Sequence, residues 1–164
     1  MQPRFHTSCF AAALLLLALP QSGFAQGTAV LKDVKVVQVE PTLVANPAKV
    51  KDETAPNAAE GMLRSALTSS GFEIGESPIR AHIVLEEFSS GSTAKRMLVG
   101  FGSGRSTVAG RLILTDADQK ELANIPLKVR GNFMFSSYDS SGQQRKEAVS
   151  SFEKKLVEEI ARLK

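Results

Sequence analysis

His82 and the serines are the residues from which nucleophilic catalysis would have to be built. Once residues 1–25 are removed, as argued below, His82 is the only histidine left, so any histidine metal site or Ser/His/Asp triad would need it. The sequence has no G-x-S-x-G elbow, and the Ser-Ser-Gly-Ser run at 89–92 has the composition of a flexible turn. We therefore predict no serine hydrolase and interpret His82 as a strand residue on a mixed sheet face.

A group of acidic residues between two predicted strands invites a calcium hypothesis. Asp116 and Asp118, with Glu121 nearby, offer oxygen ligands of the kind calcium prefers. Lys120, however, stands where an EF-hand loop would want a third oxygen donor, and the turn glycine is missing. We predict a solvated hairpin and no metal site.

Glu86 and Glu87 form the other pair of carboxylates. Glycoside hydrolases place two carboxylates on either side of one bond. Adjacent residues of a strand point to opposite faces, so we expect that this pair cannot act as an acid/base dyad. With no catalytic, metal or cofactor site assigned, we predict that the protein is not an enzyme.

An apolar segment at residues 94–106 carries glycine at every second position through its centre. A dinucleotide fingerprint is G-x-G-x-x-G between a strand and a helix, but here the third glycine comes one residue early and a strand follows. A P-loop needs four residues between its glycines and then lysine, whereas Gly100 and Gly104 enclose three and Arg105 follows. We therefore predict no nucleotide cofactor.

Two interpretations of this glycine-spaced segment remain open. Glycine allows positive φ or a close strand crossing, which suits a bent hairpin. Alternatively, the apolar side chains are exposed at a hairpin tip between basic residues, which suits a partner groove or membrane headgroups. In that case the residues that bind the partner are Arg96, Leu98, Gly100, Phe101, Gly102, Gly104 and Arg105.

The elements that position these residues follow from hydrophobic periodicity. Val30–Val39 is rich in β-branched residues and predicts a first strand, and the prolines of residues 41–57 predict a long exposed connection. From Ala59 to Ser70, apolar and small residues recur at steps of three and four, which predicts a helix that Gly71 ends. A second such stripe predicts a C-terminal helix through Val149, Phe152, Leu156, Ile160 and Leu163.

Three further strands are predicted between the helices, at Ala81–Phe88, Val108–Thr115 and Leu127–Phe135. The last two are joined by polar residues 115–121, typical of a hairpin, and should be antiparallel neighbours; residues 136–144 predict a polar loop. The order predicts an α+β fold, βαβββα, with a four-stranded, mostly antiparallel sheet and two helices on one face. The other face would gather a modest basic patch of Arg111, Lys128 and Arg130 with His82 or Glu86.

The N-terminal residues indicate export. Arg4, the apolar run from Phe10 to Leu19 and the small residues before Ala25 are typical of a cleavable signal peptide, residues 1–25. The run is far shorter than the ~20 residues of a membrane-spanning helix, so we expect no transmembrane anchor. Residues 26–164 should then form a single α+β domain, located in the periplasm of a Gram-negative bacterium, with release beyond the outer membrane left open.

Composition limits the classes of partner. The sequence holds 20 basic and 17 acidic residues, and no aromatic residues are interleaved among the bases of the mixed face, so we expect no nucleic-acid binding. Cys9 is the only cysteine and precedes the apolar run, so the exported chain has no thiol for disulfides, catalysis or lipid attachment. The oligomeric state stays open.

The glycine-spaced segment and the strand after it resemble a bacterial family of exported and lipid-anchored domains of unknown function, family 4410. The resemblance rests on Arg96, the Val99–Gly104 core, the Val108–Thr115 strand with Asp116, and the closing helix. It extends over residues 30–164 and implies a small α+β envelope domain that assists assembly or binds partners, with no established enzymatic activity. No cysteine stands at the cleavage site, so the lipid anchor of some members is not expected here.

Our first hypothesis is therefore a non-catalytic accessory domain that binds an envelope protein or a membrane-surface component. Phe101 would be the anchor, with Arg96 and Arg105 as flanking contacts. The alternative is a small-ligand carrier whose pocket lies between the sheet and the helices.

Overall fold

The computed structural model describes residues 29–89, 106–131 and 141–164, with side chains in the last segment from residue 146. The predicted signal peptide and, apart from Ser106, the glycine-spaced segment lie outside the described residues. The strands are β1 (Val36–Val39), β2 (Leu43–Val44), β3 (Glu73–Ile74), β4 (Arg80–Ser89), β5 (Thr107–Thr115) and β6 (Glu121–Arg130), and the helices are α1 (Ala55–Ser69) and α2 (Ser141–Arg162). The α+β class is as predicted, but the described residues form six strands instead of four.

The sheet has the strand order β3-β1-β4-β5-β6, and β2 pairs with β4 beyond the end of β1. The three long strands β4, β5 and β6 are antiparallel neighbours, which confirms the predicted hairpin. The short strands are all parallel to their partners: β1 to β3 and β4, and β2 to β4. The prediction of a mostly antiparallel sheet therefore holds only for the long strands, because two-residue strands carry too little periodicity to be recognised.

The predicted first strand, Val30–Val39, is wrong in its first half. Residues 30–33 form a turn, Asp33 has a φ of 66°, and the amide of Leu31 donates to the carbonyl of Leu163 at 2.7 Å. Leu31 is buried in the core. The apolar residues that indicated a strand therefore cover the end of α2 instead of extending the sheet.

The predicted exposed connection, residues 41–57, is also partly wrong. Leu43 and Val44 pair with Val84 and Leu85 as β2, and Val50 forms a further bridge to Phe88. The prolines limit β2 to two residues, since each removes a backbone donor from the chain that flanks it. The segment consequently follows the edge of β4 before α1 begins.

The β5–β6 turn is shorter than predicted at its C-terminal end. The Asp116 carboxylate accepts hydrogen bonds from the amides of Asp118 and Lys120, both at 2.9 Å, and Gln119 adopts a φ of 61°. This closes the turn so that Glu121 already pairs with Thr115. Strand β6 thus begins six residues before the predicted Leu127, and the predicted continuation to Phe135 lies outside the described residues.

Helix α1 confirms the predicted stripe and stop. Its buried residues are Ala55, Ala59, Met62, Leu63, Ala66 and Leu67. At its C-terminus the amides of Gly71 and Phe72 donate to the carbonyls of Thr68 and Leu67 at 2.9 and 3.0 Å, the two bonds of a Schellman motif. Gly71 has the required positive φ of 85°, a conformation that costs glycine little.

Helix α2 begins earlier than predicted, since Ser141–Gln144, part of the predicted polar loop, are helical. Its predicted apolar face is confirmed, with Ala148, Phe152, Leu156 and Ile160 fully buried. Burial of each large apolar side chain contributes about 1.5–3 kcal/mol. Both helices pack on the sheet and on each other, α1 against β1, β3 and β4, and α2 against β5 and β6. They therefore cover one face, called here the inner face.

The two ends of the sheet differ in what is attached to them. At the distal end, Ser89 pairs with Thr107 and the Gly131 amide donates to the Ser106 carbonyl at 2.9 Å. At the proximal end, Arg80 pairs with Thr115, and the Lys164 ammonium donates to the carbonyl of Ser70. The segments 90–105 and 132–140 thus both leave from the distal end, whereas residue 29 enters near the proximal end.

Gly110 is predicted to be essential for the approach of β5 to β4. A Cβ at Gly110 would lie 2.7 Å from the Val84 carbonyl oxygen and 3.3 Å from Leu85 Cα, both backbone atoms that cannot move independently. We expect Gly110→Ala to lower the free energy of unfolding by about 1–3 kcal/mol, as overpacking does, when urea denaturation is followed by circular dichroism. Gly61→Ala is the matched control, because a Cβ there meets nothing within 4 Å in helix α1 and should stabilise by about 0.5–1 kcal/mol. Equal stability of the two variants would contradict this account.

Candidate functional site

The residues assigned to partner binding in the sequence all lie outside the described residues. They are Arg96, Leu98, Gly100, Phe101, Gly102, Gly104 and Arg105. The structure fixes where this segment is attached. It follows Ser89 directly and ends just before Ser106 and Thr107, and Ser89 and Thr107 are paired neighbours in the sheet. The ends of residues 90–105 are therefore held together at the distal end.

The sheet face opposite the helices, called here the outer face, is built by alternate residues of the long strands. From the proximal to the distal end, the register aligns Arg80, His82, Val84, Glu87 and Ser89 of β4 with Thr115, Ile113, Arg111, Ala109 and Thr107 of β5. The same β5 residues align with Glu121, Asn124, Pro126, Lys128 and Arg130 of β6. The predicted patch of Arg111, Lys128 and Arg130 with His82 or Glu86 is thus brought to one face. Acidic residues lie among its basic residues, so the charge of the face is mixed.

A β-bulge places Glu86 and Glu87 on the outer face together. The pairing shifts between Leu85 and Glu87, so that Glu86 is the extra residue of β4, and both Leu85 and Phe88 are buried on the inner face. The expectation that the two carboxylates point to opposite faces is therefore wrong, because a bulge interrupts the alternation of a strand.

The Glu86 carboxylate is held by an ion pair. Glu86 Oε1 lies 2.9 Å from Arg111 Nε, and each side chain is 44% exposed. The acid of a glycosidase is enclosed in apolar, desolvated surroundings, which this open pair does not have. The geometry fits a solvated charge pair on a surface better than an acid/base dyad.

A second cluster joins β1 to β4 at the proximal end. Glu40 Oε1 lies 3.4 Å from Arg80 Nη1, and Glu40 Oε2 lies 3.6 Å from His82 Nδ1. The His82 side chain is only 14% exposed, and neither His82 Nδ1 nor Arg80 Nε has a hydrogen-bond partner. His82 is a strand residue of the mixed face, as predicted. The cluster fastens the end of β1, where Pro41 prevents the strand from continuing.

The acidic residues considered for calcium accept hydrogen bonds from within the β5–β6 hairpin. Both hydrogen bonds to Asp116 Oδ1 come from the backbone of the turn, and Glu121 Oε2 accepts from Asn124 Nδ2 at 3.1 Å. Across the described ranges, no group of three or more histidine or acidic side chains is placed to hold a metal ion.

The space between sheet and helices is filled by side chains. One continuous cluster there includes Leu63, Leu67, Ile83, Leu112 and Phe152, none of them accessible to solvent. This is the region in which the alternative hypothesis placed the pocket of a ligand carrier. Within the portion of the chain that the structure describes, no helix is both long and apolar enough to span a membrane.

Residues 32–131 match the family model of a domain of unknown function, DUF4410. The chain belongs to the DUF4410 family. The predicted resemblance is thereby confirmed, although the match ends before α2 and so covers less than the predicted 30–164. No curated protein matches the chain.

Solved structures of similar fold come from several bacteria. The PelC dodecamer of Paraburkholderia phytofirmans has 16% sequence identity and a TM-score of 0.53, over 84% of this chain and 94% of that chain. A Xanthomonas campestris protein described by the family model DUF330 has 11% identity and a TM-score of 0.52, over 78% and 84%. A minor lipoprotein of Acinetobacter baumannii has 13% identity and a TM-score of 0.48, over 77% and 92%. For the Paraburkholderia phytofirmans and Xanthomonas campestris structures, the likeness at these identities shows the fold alone.

Sequence reasoning missed the participation of Glu40, Arg80, Glu87 and Asn124 in the outer face. One signal for the bulge is present: inward apolar residues of β4 recur at steps of two up to Leu85, but the next, Phe88, follows after three. An extra residue in that interval is what a bulge requires. No comparable signal marks Glu40, whose position depends on the parallel pairing of β1 with β4.

Glu40 is predicted to contribute to stability through its two basic neighbours. We expect Glu40→Gln to lower the free energy of unfolding by about 0.5–1.5 kcal/mol, since the amide loses the charge that attracts Arg80. Urea denaturation checks this. Glu53→Gln is the matched control, because Glu53 is exposed just before α1 and should change stability by less than about 0.5 kcal/mol. If the two variants lose equal stability, the Glu40 cluster does not stabilise the attachment of β1 to β4.

Proposed function

We propose that this DUF4410 chain is an exported accessory domain of the bacterial cell envelope that binds an envelope protein and catalyses no reaction. The observation that carries the proposal is the pairing of Ser89 with Thr107. It means that the segment of residues 90–105, with Arg96, Phe101 and Arg105, is attached at both ends to one point on two neighbouring strands.

The mode of attachment supports a binding role for the segment. Residues 90–105 connect two paired strands, and long connections between strands often carry function. Fixing both ends of a segment on paired strands lowers the entropy that the segment loses when it binds a partner. Aromatic residues and arginine are the residue types enriched among the energetic anchors of interfaces, and Phe101 lies between Arg96 and Arg105 in the sequence.

Neighbouring residues give the distal end a basic character. Lys128 and Arg130 are exposed at the distal end of β6, and neither forms an ion pair with a described residue. Lys95, Arg96 and Arg105 add further positive charge in the sequence of the segment. We therefore expect an acidic surface on the partner, since complementary charge speeds encounter and selects the partner.

The proposal places the protein in the periplasm. Its support is the sequence of residues 1–25, in which a basic residue, an apolar run and small residues occur in the order of a cleavable signal. When the full chain is expressed in a Gram-negative host, we expect the periplasmic fraction to contain protein whose intact mass and N-terminal sequence begin at Gln26. Protein that begins at Met1 and stays in the cytoplasm would contradict export.

The binding role is tested by changing the segment. The variant Phe101→Ser, Arg96→Ala, Arg105→Ala should lose most of the protein partner captured by crosslinking in living cells, by about tenfold or more, because it removes the apolar anchor and both flanking charges. Quantitative mass spectrometry of the crosslinked products measures the loss.

The matched control changes the same kinds of residue elsewhere. Leu43 is an apolar side chain that is 56% exposed, and Lys154 and Lys155 lie on helix α2. The variant Leu43→Ser, Lys154→Ala, Lys155→Ala should keep the partner. Retention of every crosslinked protein by the Phe101 variant would refute the proposal. Flotation of the wild-type chain with anionic vesicles and no crosslinked protein would assign the segment to a membrane surface instead.

A further inference from the structure

We propose that two copies of this chain pack through their outer faces, about a two-fold axis close to parallel to β5. No helix or strand of the described segments packs on this face. On its middle strand Arg111 is exposed, whereas Thr107, Ala109 and Ile113 are buried, so the proposed contact is made mainly by side chains of β4 and β6. The inference does not depend on the proposed function, because every residue that it uses lies on β4, β5 or β6. A second copy fits this face because the acidic and basic residues of the face can pair with the basic and acidic residues of the same face on another copy.

The geometry of the sheet defines what such an axis does. Strand β5 lies between β4 and β6, each about 4.8 Å away. A two-fold axis parallel to β5 and lying between two facing sheets keeps each residue at its height along β5 and exchanges the sides occupied by β4 and β6. Each β4 residue therefore faces the β6 residue of its own row on the second copy.

The charged rows match under this exchange. In one row Glu87 of β4 and Lys128 of β6 flank Ala109, and in another Arg80 of β4 and Glu121 of β6 flank Thr115. Glu87 then meets Lys128 of the second copy, and Arg80 meets Glu121 of the second copy. Because the axis is two-fold, each contact occurs twice. The acidic and basic members change sides between the two rows, so this axis brings opposite charges together in both. An axis across the strands would instead pair Arg80 with Glu87 and Glu121 with Lys128 of the second copy, and the mixture of variants described below would not restore that arrangement.

The central rows are compatible with the same arrangement. Val84 faces Pro126 of the second copy, an apolar contact, and His82 faces Asn124 of the second copy. Arg111 lies near the axis and opposes its own copy, but Glu86 neutralises it at 2.9 Å.

The size of the face limits the strength of the contact. Three strands about 4.8 Å apart and about 30 Å long give a footprint of roughly 400 Å² per copy, about half of the ~800 Å² per partner in a standard interface. We therefore expect a weak dimer, detected at high protein concentration. Salt should weaken it further, because exposed ion pairs are screened.

Sedimentation equilibrium of the full chain, expressed with its own N-terminal segment, tests the proposal from about 10 μM to about 1 mM. Glu87→Lys alone and Lys128→Glu alone should each weaken the dimer by about tenfold, since each creates like charges across both contacts. An equimolar mixture of the two variants should dimerise within about threefold of wild type, because a Glu87→Lys chain and a Lys128→Glu chain form only opposite-charge contacts. Lys154→Glu, the same charge change on helix α2, should have no effect.

The mixture separates docking from damage to the fold, because two chains that fold poorly do not restore each other. If either variant lacks the far-UV spectrum of wild type, Arg80→Glu and Glu121→Arg form the second reciprocal pair. A wild-type monomer at every concentration would overturn the proposal. So would an assembly larger than two, single variants that dimerise like wild type, or a mixture no tighter than its components.

Discussion

The antiparallel pairing of β4 with β5 is the constraint on which the rest of the structure depends. It requires Gly110, because the backbone of β4 comes too close to admit a Cβ at that position. It also absorbs the extra residue Glu86, so that Leu85 and Phe88 both reach the core although three positions separate them. The inner face therefore stays apolar along the whole of β4, and both carboxylates of the bulge lie on the outer face. The irregularity in this ladder therefore sets both the apolar face of β4 and the position of the two carboxylates.

Periodicity predicted the elements in which apolar residues recur at a regular step in the sequence. The apolar stripes of α1 and α2 and the alternation of β4 and β5 each repeat over at least two turns or several residues, and all of them are found at the expected positions. The parts that failed are decided by contacts distant in sequence. Leu31 is apolar because it covers the end of α2, and β2 exists because β4 extends beyond the end of β1. Neither contact leaves a local repeat.

The sequence predicted less of the candidate site than of the fold, because the site depends on the register between strands. Which charged residues share a face depends on register, and register depends on bulges and turn lengths as well as on alternation. The bulge at Glu86 moved Glu87 to the outer face, and the turn closed by Asp116 brought Glu121 and Asn124 into β6. The basic residues Arg111, Lys128 and Arg130 were assigned to one face correctly, because each lies at a regular step within its strand. Their acidic neighbours could not be assigned in the same way.

The direction of the proposed dimer axis links the outer face to the distal end. An axis parallel to β5 does not reverse the strands, so the two copies carry their distal ends on the same side. The segments 90–105 of both copies would then be available to one partner surface. Once one segment has bound, the second would bind at an effective concentration set by the distance between the two segments. An axis across the strands would instead place the two segments at opposite ends, and no flat partner could engage both. The fraction of partner bound through residues 90–105 should therefore rise more steeply with protein concentration when the outer faces can pair.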